Sequence, residues 1–569
     1  MKRFLSLALA SVMLLAAGCG QASVPSGSNT PTPTAKASDS PSATPEALEP
    51  ITLTMYSVET NAYPDNYESP VAQKIKELTG VTLEVEFAIS QDAGKEKLSL
   101  MAASGDYPDL VYAKGDLNIL KNVNGVLKLD ELIEQYGPNI QKFYSYEDAY
   151  KRLRWSLEDP SIYYIGGKEL GQENSEPNAG MQISLGAIKE QNYPLPKTLE
   201  DVEAIVKEYV AKHPTTADGQ KTIGLSLCGD DWLTMITVTN PANFALGNSD
   251  DGEWYVNNDT LEVTRHVTRP ETKEYFRWLN HMNDIGLLDP ESFIQKEDQY
   301  KAKIASGRVV ALTDARWHLD EPVRALKQAN NYDATYGFYP VTLKEEYKFA
   351  DFQSTGYLGG YALSLTSTNK DPVRTIQFLD WMCTEEAQIL INWGIEGEHY
   401  DVVDGKRVLR PEIKEMYNSD PAFQQKTGIR AYRYPFPAYG NRVTDSTGQY
   451  YEAFITQEEV LARQSDIENE VLAKYGVKSW KELYPQAEDF PIKSYGAAWL
   501  VNIDDPDWKA ADDKILRTGY SMIAAAVMAK PAEFDQKWDE YMKALDTAGL
   551  DWVTEQFEKT LKDRTELWK

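Results

Sequence analysis

"ITLTMYSV" (51–58) alternates Ile51, Leu53 and Met55 with Thr52, Thr54 and Tyr56, the period of a strand with one buried face. A polar loop, "ETNAYPDNYES" (59–69), separates it from "PVAQKIKELTG" (70–80), where Val71, Ile75 and Leu78 share a helical face and Gly80 supplies the stop. "VTLEVEFA" (81–88) alternates again through Val81, Leu83, Val85 and Phe87. A second helix through Leu98 and Met101 and the apolar run "DLVYA" (109–113) complete a strand–helix–strand–helix–strand order. Crossovers of that kind make strands parallel and cover both faces of the sheet, so the chain reads as an α/β protein.

Further elements continue the theme. "ETKEYFRWLNHMNDIGLLDPE" (271–291) is helical through Tyr275, Leu279 and Met282. In "DPVRTIQFLDWMCTEEAQILINWG" (371–394), Asp371 is placed as an N-cap and Pro372 in the first turn. "PAEFDQKWDEYMKALDTAGL" (531–550) puts Phe534, Trp538, Tyr541 and Leu545 on one stripe. About 519 residues follow Ile51, too many for one core and suited to two large lobes. No short-period repeat suggests a solenoid or propeller.

Upstream, Lys2 and Arg3 precede a run of about fourteen mostly apolar residues ending at Ala17, the anatomy of a secretory signal and too short for the ~20 residues of a membrane span. "LAAGC" (15–19) resembles a bacterial lipobox, which implies cleavage after Gly18 and a lipid on Cys19. The alternative is an ordinary signal with an incidental cysteine. Residues 19–50 hold six prolines, six serines and four threonines among few apolar side chains, a tether with a reach of ~30 Å. The expected address is the extracellular face of the cell membrane, held by the lipid.

Cys228 and Cys383 have no CxxC spacing; they pair or, as preferred, are two buried free thiols. Without Lys2 and Arg3 the chain carries 56 basic against 87 acidic residues, which argues against nucleic acid as partner. Its 34 Tyr and 13 Trp exceed its 16 Phe, a bias toward rings with a polar handle.

Enzyme machinery is sparse. "GLSLC" (224–228) is the nearest approach to GxSxG and has Cys228 where a glycine must allow the nucleophile turn. HExxH and phosphate-cradling loops are missing, and five scattered histidines suggest no zinc site. A glycosidase or lyase stays open as the alternative, because two carboxylates brought together by the fold would suffice.

"SGDYPDLVYAKGD" (104–116) resembles the GDxPD-plus-strand segment of the extracellular solute-binding proteins, family 1, that serve bacterial ABC importers. "LPKTLEDVEAIVKEYV" (195–210), "YFRWLNHMNDIGLLDPESF" (275–293) and "YKAKIASGRVVAL" (300–312) resemble further segments of that family in the same order. "WGIEGEHYDVVDG" (393–405) is similar to the G-I-E-G-x-H-Y signature of a lipoprotein subgroup related to the alginate-binding proteins. The resemblance implies a two-lobed periplasmic-binding-protein-like fold with a multi-strand hinge, a monomer that captures a carbohydrate ligand between its lobes and delivers it to ABC transporter permease subunits without chemistry. It places the N-lobe at 51–170 plus about 341–430 and the C-lobe at about 171–340 plus 431–569. Crossings are expected near "SIYYIGG" (161–167), "YGFYPVT" (336–342) and 430–445. Several relatives carry a calcium loop after the helix ending near 210. Here "HPTTADGQKTIG" (213–224) offers only Asp218 and threonine hydroxyls, so no calcium, and no other metal or cofactor, is expected.

Sugar recognition uses aromatic faces against the apolar side of a pyranose and polar groups against its hydroxyls. Trp232, in the polar loop "CGDDWLT" (228–234), and Trp317, in "LTDARWHL" (312–319), are the leading stacking residues, with core burial as the alternative for each. Tyr163 and Tyr164, Tyr357 in "STGYLGG" (354–360), and Tyr432 and Tyr434 in "RAYRYPFP" (430–437) are weighed against plain packing. Glu59 and Asp314 are candidate hydroxyl acceptors or, alternatively, solvated or capping carboxylates. Lys114 and Asp116 lie in the loop beyond "DLVYA", where open α/β sheets bind ligands. Neutral and uronic sugars are both compatible with the sequence, since Arg316 or Arg433 could face the cleft.

Overall fold

The structure is a computed structural model and describes residues 49–59, 67–420 and 422–569. The signal segment, Cys19 and nearly all of the tether lie outside the described residues. Among those described, no helix is long and apolar enough to cross a membrane.

β1 (Ile51–Ser57) pairs in parallel with β2 (Val81–Phe87), Ile51 opposite Val81, and with β3 (Leu110–Tyr112), Met55 opposite Leu110. The helix between β1 and β2 runs Pro70–Thr79, with the Ser69 hydroxyl accepting from the Ala72 N–H and Gly80 left-handed at its end. Its buried stripe passes through Val71, Ala72, Ile75 and Thr79, one step round from the expected face, and leaves Leu78 at the edge, 38 % exposed.

Past this sheet the chain crosses to a second. β4 (Met181–Ser184) and β5 (Ile223–Ser226) are followed by a hairpin of β6 (Trp254–Val256) and β7 (Val263–Arg265), then by β8 (Val309–Thr313) and β9 (Tyr336–Tyr339). The order is β5-β8-β4-β9; β5 and β8 are parallel, and β4 runs antiparallel to β8 and β9. The chain then returns to the first sheet as β10 (Leu363–Leu365), antiparallel to β3, giving β10-β3-β1-β2. A second hairpin, β11 (Tyr400–Val403) and β12 (Lys406–Leu409), carries the signature region.

Each sheet has its own core. One is built from residues between Leu53 and Leu170 and between Tyr357 and Phe454, the other from residues between Met181 and Val341 and from Ile467 onward. The stretch from 431 to 454, expected in the second lobe, gives Ala431, Tyr432, Phe436, Ala438, Ala453 and Phe454 to the first. The reason is that 435–442 runs beside the first crossing and then turns back. Leu170 donates to Ala438 O (2.9 Å) and Gly440 to Leu170 O (2.7 Å), while Ile165 exchanges bonds with Leu363 (2.8 and 3.1 Å) on the other side. The predicted stripe Phe534, Trp538, Tyr541 and Leu545 is buried on the helix Phe534–Ala548, packed beside Pro506–Val527 and Leu550–Leu567.

Cys228 and Cys383 are free, buried and in separate cores. Burial pushes the Cys228 thiol up to about 12, which keeps it unreactive.

Candidate functional site

Because β1 and β3 are parallel neighbours, the loops leaving their carboxyl ends lie side by side. Glu59 comes from one and Lys114 from the other, and they form an ion pair at 2.9 Å. Asp116 closes the short turn Lys114–Asp116. Tyr112, the last residue of β3, meets Tyr434 hydroxyl to hydroxyl, with ring centroids 5.4 Å apart and edge-on. Tyr361 packs over Gly115, where an added Cβ would stand 3.3 Å from the ring. Burial, reinforced by Asp116, pushes the Tyr361 hydroxyl up to about 12, so it stays a neutral donor and acceptor.

From Tyr361 a line of contacts leads to the second lobe. Its ring lies 6.1 Å from that of Trp499, and the exposed Lys168 ammonium is 5.7 Å from the same indole. Lys168 and Lys493 act electrostatically on Asp250, Asp250 on Asp351, and Arg316 on Asp351. Asp250 is open to solvent, yet burial raises its carboxyl above the ordinary range, against the Gly252 N–H it accepts and against Lys493 and Lys168. Burial likewise pushes Asp351 up to about 7, although it accepts from Asn178 N (2.9 Å) and Ala179 N (3.1 Å). Asn178 and Asp351 belong to the first and second crossings, so these bonds tie the two segments together where the chain passes between lobes.

The carboxyl end of the second sheet carries the tryptophans. β5 and β8 are parallel neighbours, which brings Trp232, six residues beyond β5, next to Trp317, in the first turn of the helix Arg316–Gln328. The rings stack at 5.9 Å with 10° between planes, 37 % and 49 % exposed. A ring inserted between two others needs about 7 Å, twice a contact distance, so the pair forms one platform for a ligand laid across it. His318 supports Trp317 at 5.7 Å. Burial works against charge on His318, but Asp314 at Nδ1 (2.7 Å) and Glu297 at Nε2 (3.2 Å) hold its pKa above the ordinary imidazole value.

Glu59, Lys114, Asp116 and Tyr434 thus lie at the carboxyl end of the first sheet, and Trp232 and Trp317 at that of the second. The other predicted residues have internal tasks. Asp314 is buried and accepts from Tyr300 (3.0 Å) while binding His318. Tyr163 donates to Asp159 (2.6 Å), and Tyr357 to Gly166 O (2.6 Å). Tyr164 lies in the first core, where burial pushes its hydroxyl up to about 12. Tyr432 is packed between Tyr67 (4.8 Å) and Phe436 (5.5 Å). These tyrosines turn inward because the crossing segments need apolar cover on the side facing the first core. Arg433 is buried against Glu169 and Glu452. Asp218 accepts from Thr216 and from Gln220 (2.8 Å), so that loop closes on itself and its residues do not fit a caged calcium ion. Lys168, Asp250, Asp351, Tyr361 and Trp499 were missed by sequence reasoning; an isolated Trp in the loop "SYGAAWLV" (494–501) was the one available signal.

Comparison with known proteins agrees with this architecture. Lipoprotein LipO of Bacillus subtilis (strain 168) is 22 % identical over 352 residues, 59 % of this chain and 65 % of that protein. The fructooligosaccharide ABC transporter substrate-binding protein FusA of Streptococcus pneumoniae serotype 4 is 22 % identical over 351 residues, 59 % of this chain and 61 % of FusA. The matches thus span less than two thirds of either relative. The structure of FusA in complex with kestose superposes with a TM-score of 0.62 at 20 % identity, covering 90 % of this chain and 99 % of that one. The alginate-binding protein AlgQ2 gives 0.61 at 19 %, covering 90 % and 98 %. At these identities the likeness establishes the two-lobed fold. The family profile described as bacterial extracellular solute-binding protein matches residues 71–393, more than half of the chain, which accordingly belongs to that family.

Proposed function

We propose that the protein is the lipid-anchored, extracellular substrate-binding component of an ABC importer, which captures a sugar or oligosaccharide between its lobes and passes it unaltered to membrane permease subunits. One observation carries the sugar: two tryptophans stacked as a half-exposed platform on one wall of a crevice whose other surfaces offer carboxylates, tyrosine hydroxyls and an ammonium. Apolar ring faces and dense hydroxyls are what such a surface complements. Family membership supports the binding role, and relatives named as a lipoprotein and as a fructooligosaccharide binder support the anchor on Cys19 and the substrate class. Ligand contacts to both walls favour the closed arrangement of the lobes.

A thermal-shift screen against mono- and oligosaccharides tests this. A ligand at 100 times its Kd stabilises the fold by ~2.7 kcal/mol. Trp232→Ala and Trp317→Ala should each weaken the hit at least about tenfold with the melting temperature of the free protein nearly unchanged, as expected for half-exposed rings. Chromatography of the hit after long incubation should return it intact; cleaved products would establish a hydrolase or lyase instead.

A further inference from the structure

We propose that Trp499, with Tyr361 beside it, is a second stacking station of the ligand site, and that the site therefore takes oligosaccharides of about three or more units in preference to monosaccharides. This deepens the reading above and rests on it. Trp499 and Tyr361 are both half-buried, with ring centroids 6.1 Å apart. The Lys168 ammonium stands 5.7 Å from the indole, exposed and in no ion pair among the described residues, so its N–H donors are open to the hydroxyls of a sugar laid on that ring. Tyr361 covers Gly115, in the loop leaving β3, and Leu500 closes on Gly360, where an added Cβ would stand 3.3 Å from it. The station thus lies where a second-lobe loop meets the carboxyl end of the first sheet.

A short path joins this station to the tryptophan platform. Trp232 O accepts the Met235 N–H (3.0 Å), so Met235 follows one helical turn later. Its sulfur and the Trp499 Cβ converge on Gly252, 3.6 and 3.3 Å from where a Cβ would stand. One turn, one methionine side chain and these two contacts put Trp499 within roughly 15 Å of Trp232. Yet neither platform ring is in ring contact with Trp499 among the described residues. A pyranose and its linkage advance a chain by roughly 5 Å, little more than one contact distance. One sugar ring therefore cannot lie on both stations, whereas a chain of about three units can. Its second stacking contact is then intramolecular and adds affinity that a monosaccharide never gains.

Titration calorimetry of the protein with mono- to pentasaccharides of gluco-, galacto-, manno-, xylo-, fructo- and galacturono-configuration separates the cases. In the series that binds, the tetrasaccharide should bind at least about tenfold more tightly than the monosaccharide. A smaller ratio overturns the length selectivity but leaves sugar capture standing; no binding by any saccharide overturns the reading beneath it and this inference with it. Trp499→Ala should cancel most of that gain while leaving the affinity for the shortest sugar that binds within about twofold, whereas Trp232→Ala weakens every length. Trp499→Leu, which keeps apolar bulk against Gly252 without a ring face, should behave alike and serves if Trp499→Ala melts early in circular dichroism. Equal loss at all lengths, or no loss, in these Trp499 variants overturns the second station.

Discussion

Asp351 sits where water is scarce and Asp250 is near, so it gives up its proton only at about 7, against an ordinary value near 3.9. Asp250, Arg316 and Tyr484 face it, and the N–H groups of Asn178 and Ala179 bond to it. Between about pH 4 and about pH 7 the folded protein therefore holds a proton that the unfolded chain has released. Stability from this group falls as pH rises through that window, and the penalty is complete above it. Asp351→Asn copies the protonated acid and does not titrate. Its Tm should gain on the parent's by roughly 2 °C or more between pH 5 and pH 8, read by calorimetry at fixed ionic strength; a difference constant with pH places the penalty elsewhere. The exposure of Trp232 and Trp317 was legible in the sequence, because a tryptophan in a polar loop just past an apolar run has few places to hide. Asp314 was legible as a loop carboxylate, but its use was not: Tyr300 reaches it from a helix that precedes β8. Asp250, Asp351 and Trp499 could not be found, since they come from three distant segments that only the tertiary fold joins.

At the scale of elements, period and caps carried the reading where one face of a strand or helix is buried. β1 and β2, the Gly80 stop, the Asp371 N-cap and the stripe of the helix Phe534–Ala548 all stand as expected. β4 was not legible, because "MQIS" is four residues long and buried throughout, and a short strand covered on both faces has no alternation to read. The crossings were approximate for a related reason: they are held by bonds to each other and by glycines. Gly166 takes φ +106°, and a Cβ there would run into the carbonyl oxygen of Pro435. Gly397 also has positive φ (+80°), but with open space around it. Gly397→Ala should therefore cost about 1 kcal/mol from backbone conformation alone, whereas Gly166→Ala should cost about 3 kcal/mol or more by adding a backbone collision. Urea midpoints of the two variants measure the contrast, and equal shifts would mean the crossing yields without strain.

At the scale of the whole molecule, the lobes meet through more than their crossings. Trp568, one residue from the end of the sequence given, is flanked by the Arg152 guanidinium at 4.8 Å and that of Arg564 at 4.9 Å. Arg152 lies in the segment Tyr146–Leu153 of the first lobe and donates to Thr355 O (2.8 Å) and Tyr357 O (3.1 Å), on the second crossing. Arg564 projects from the helix Leu550–Leu567 of the second lobe and donates to Ala497 O (2.7 Å), two residues before Trp499. The indole thus joins a first-lobe cation, a second-lobe helix and the loop that carries Trp499. A desolvated cation–π contact of this kind is worth about 2 kcal/mol. Losing it favours arrangements in which the lobes separate. A ligand that must draw them together then binds more weakly, by the fraction of molecules still competent. Trp568→Ala should accordingly raise the radius of gyration of the free protein in small-angle scattering, with the liganded value restored. It should also weaken the sugar several-fold, although residue 568 touches no proposed ligand contact. If scattering and affinity both match the parent, this contact does not set the balance between the lobes, and the hydrogen-bonded crossings do so alone.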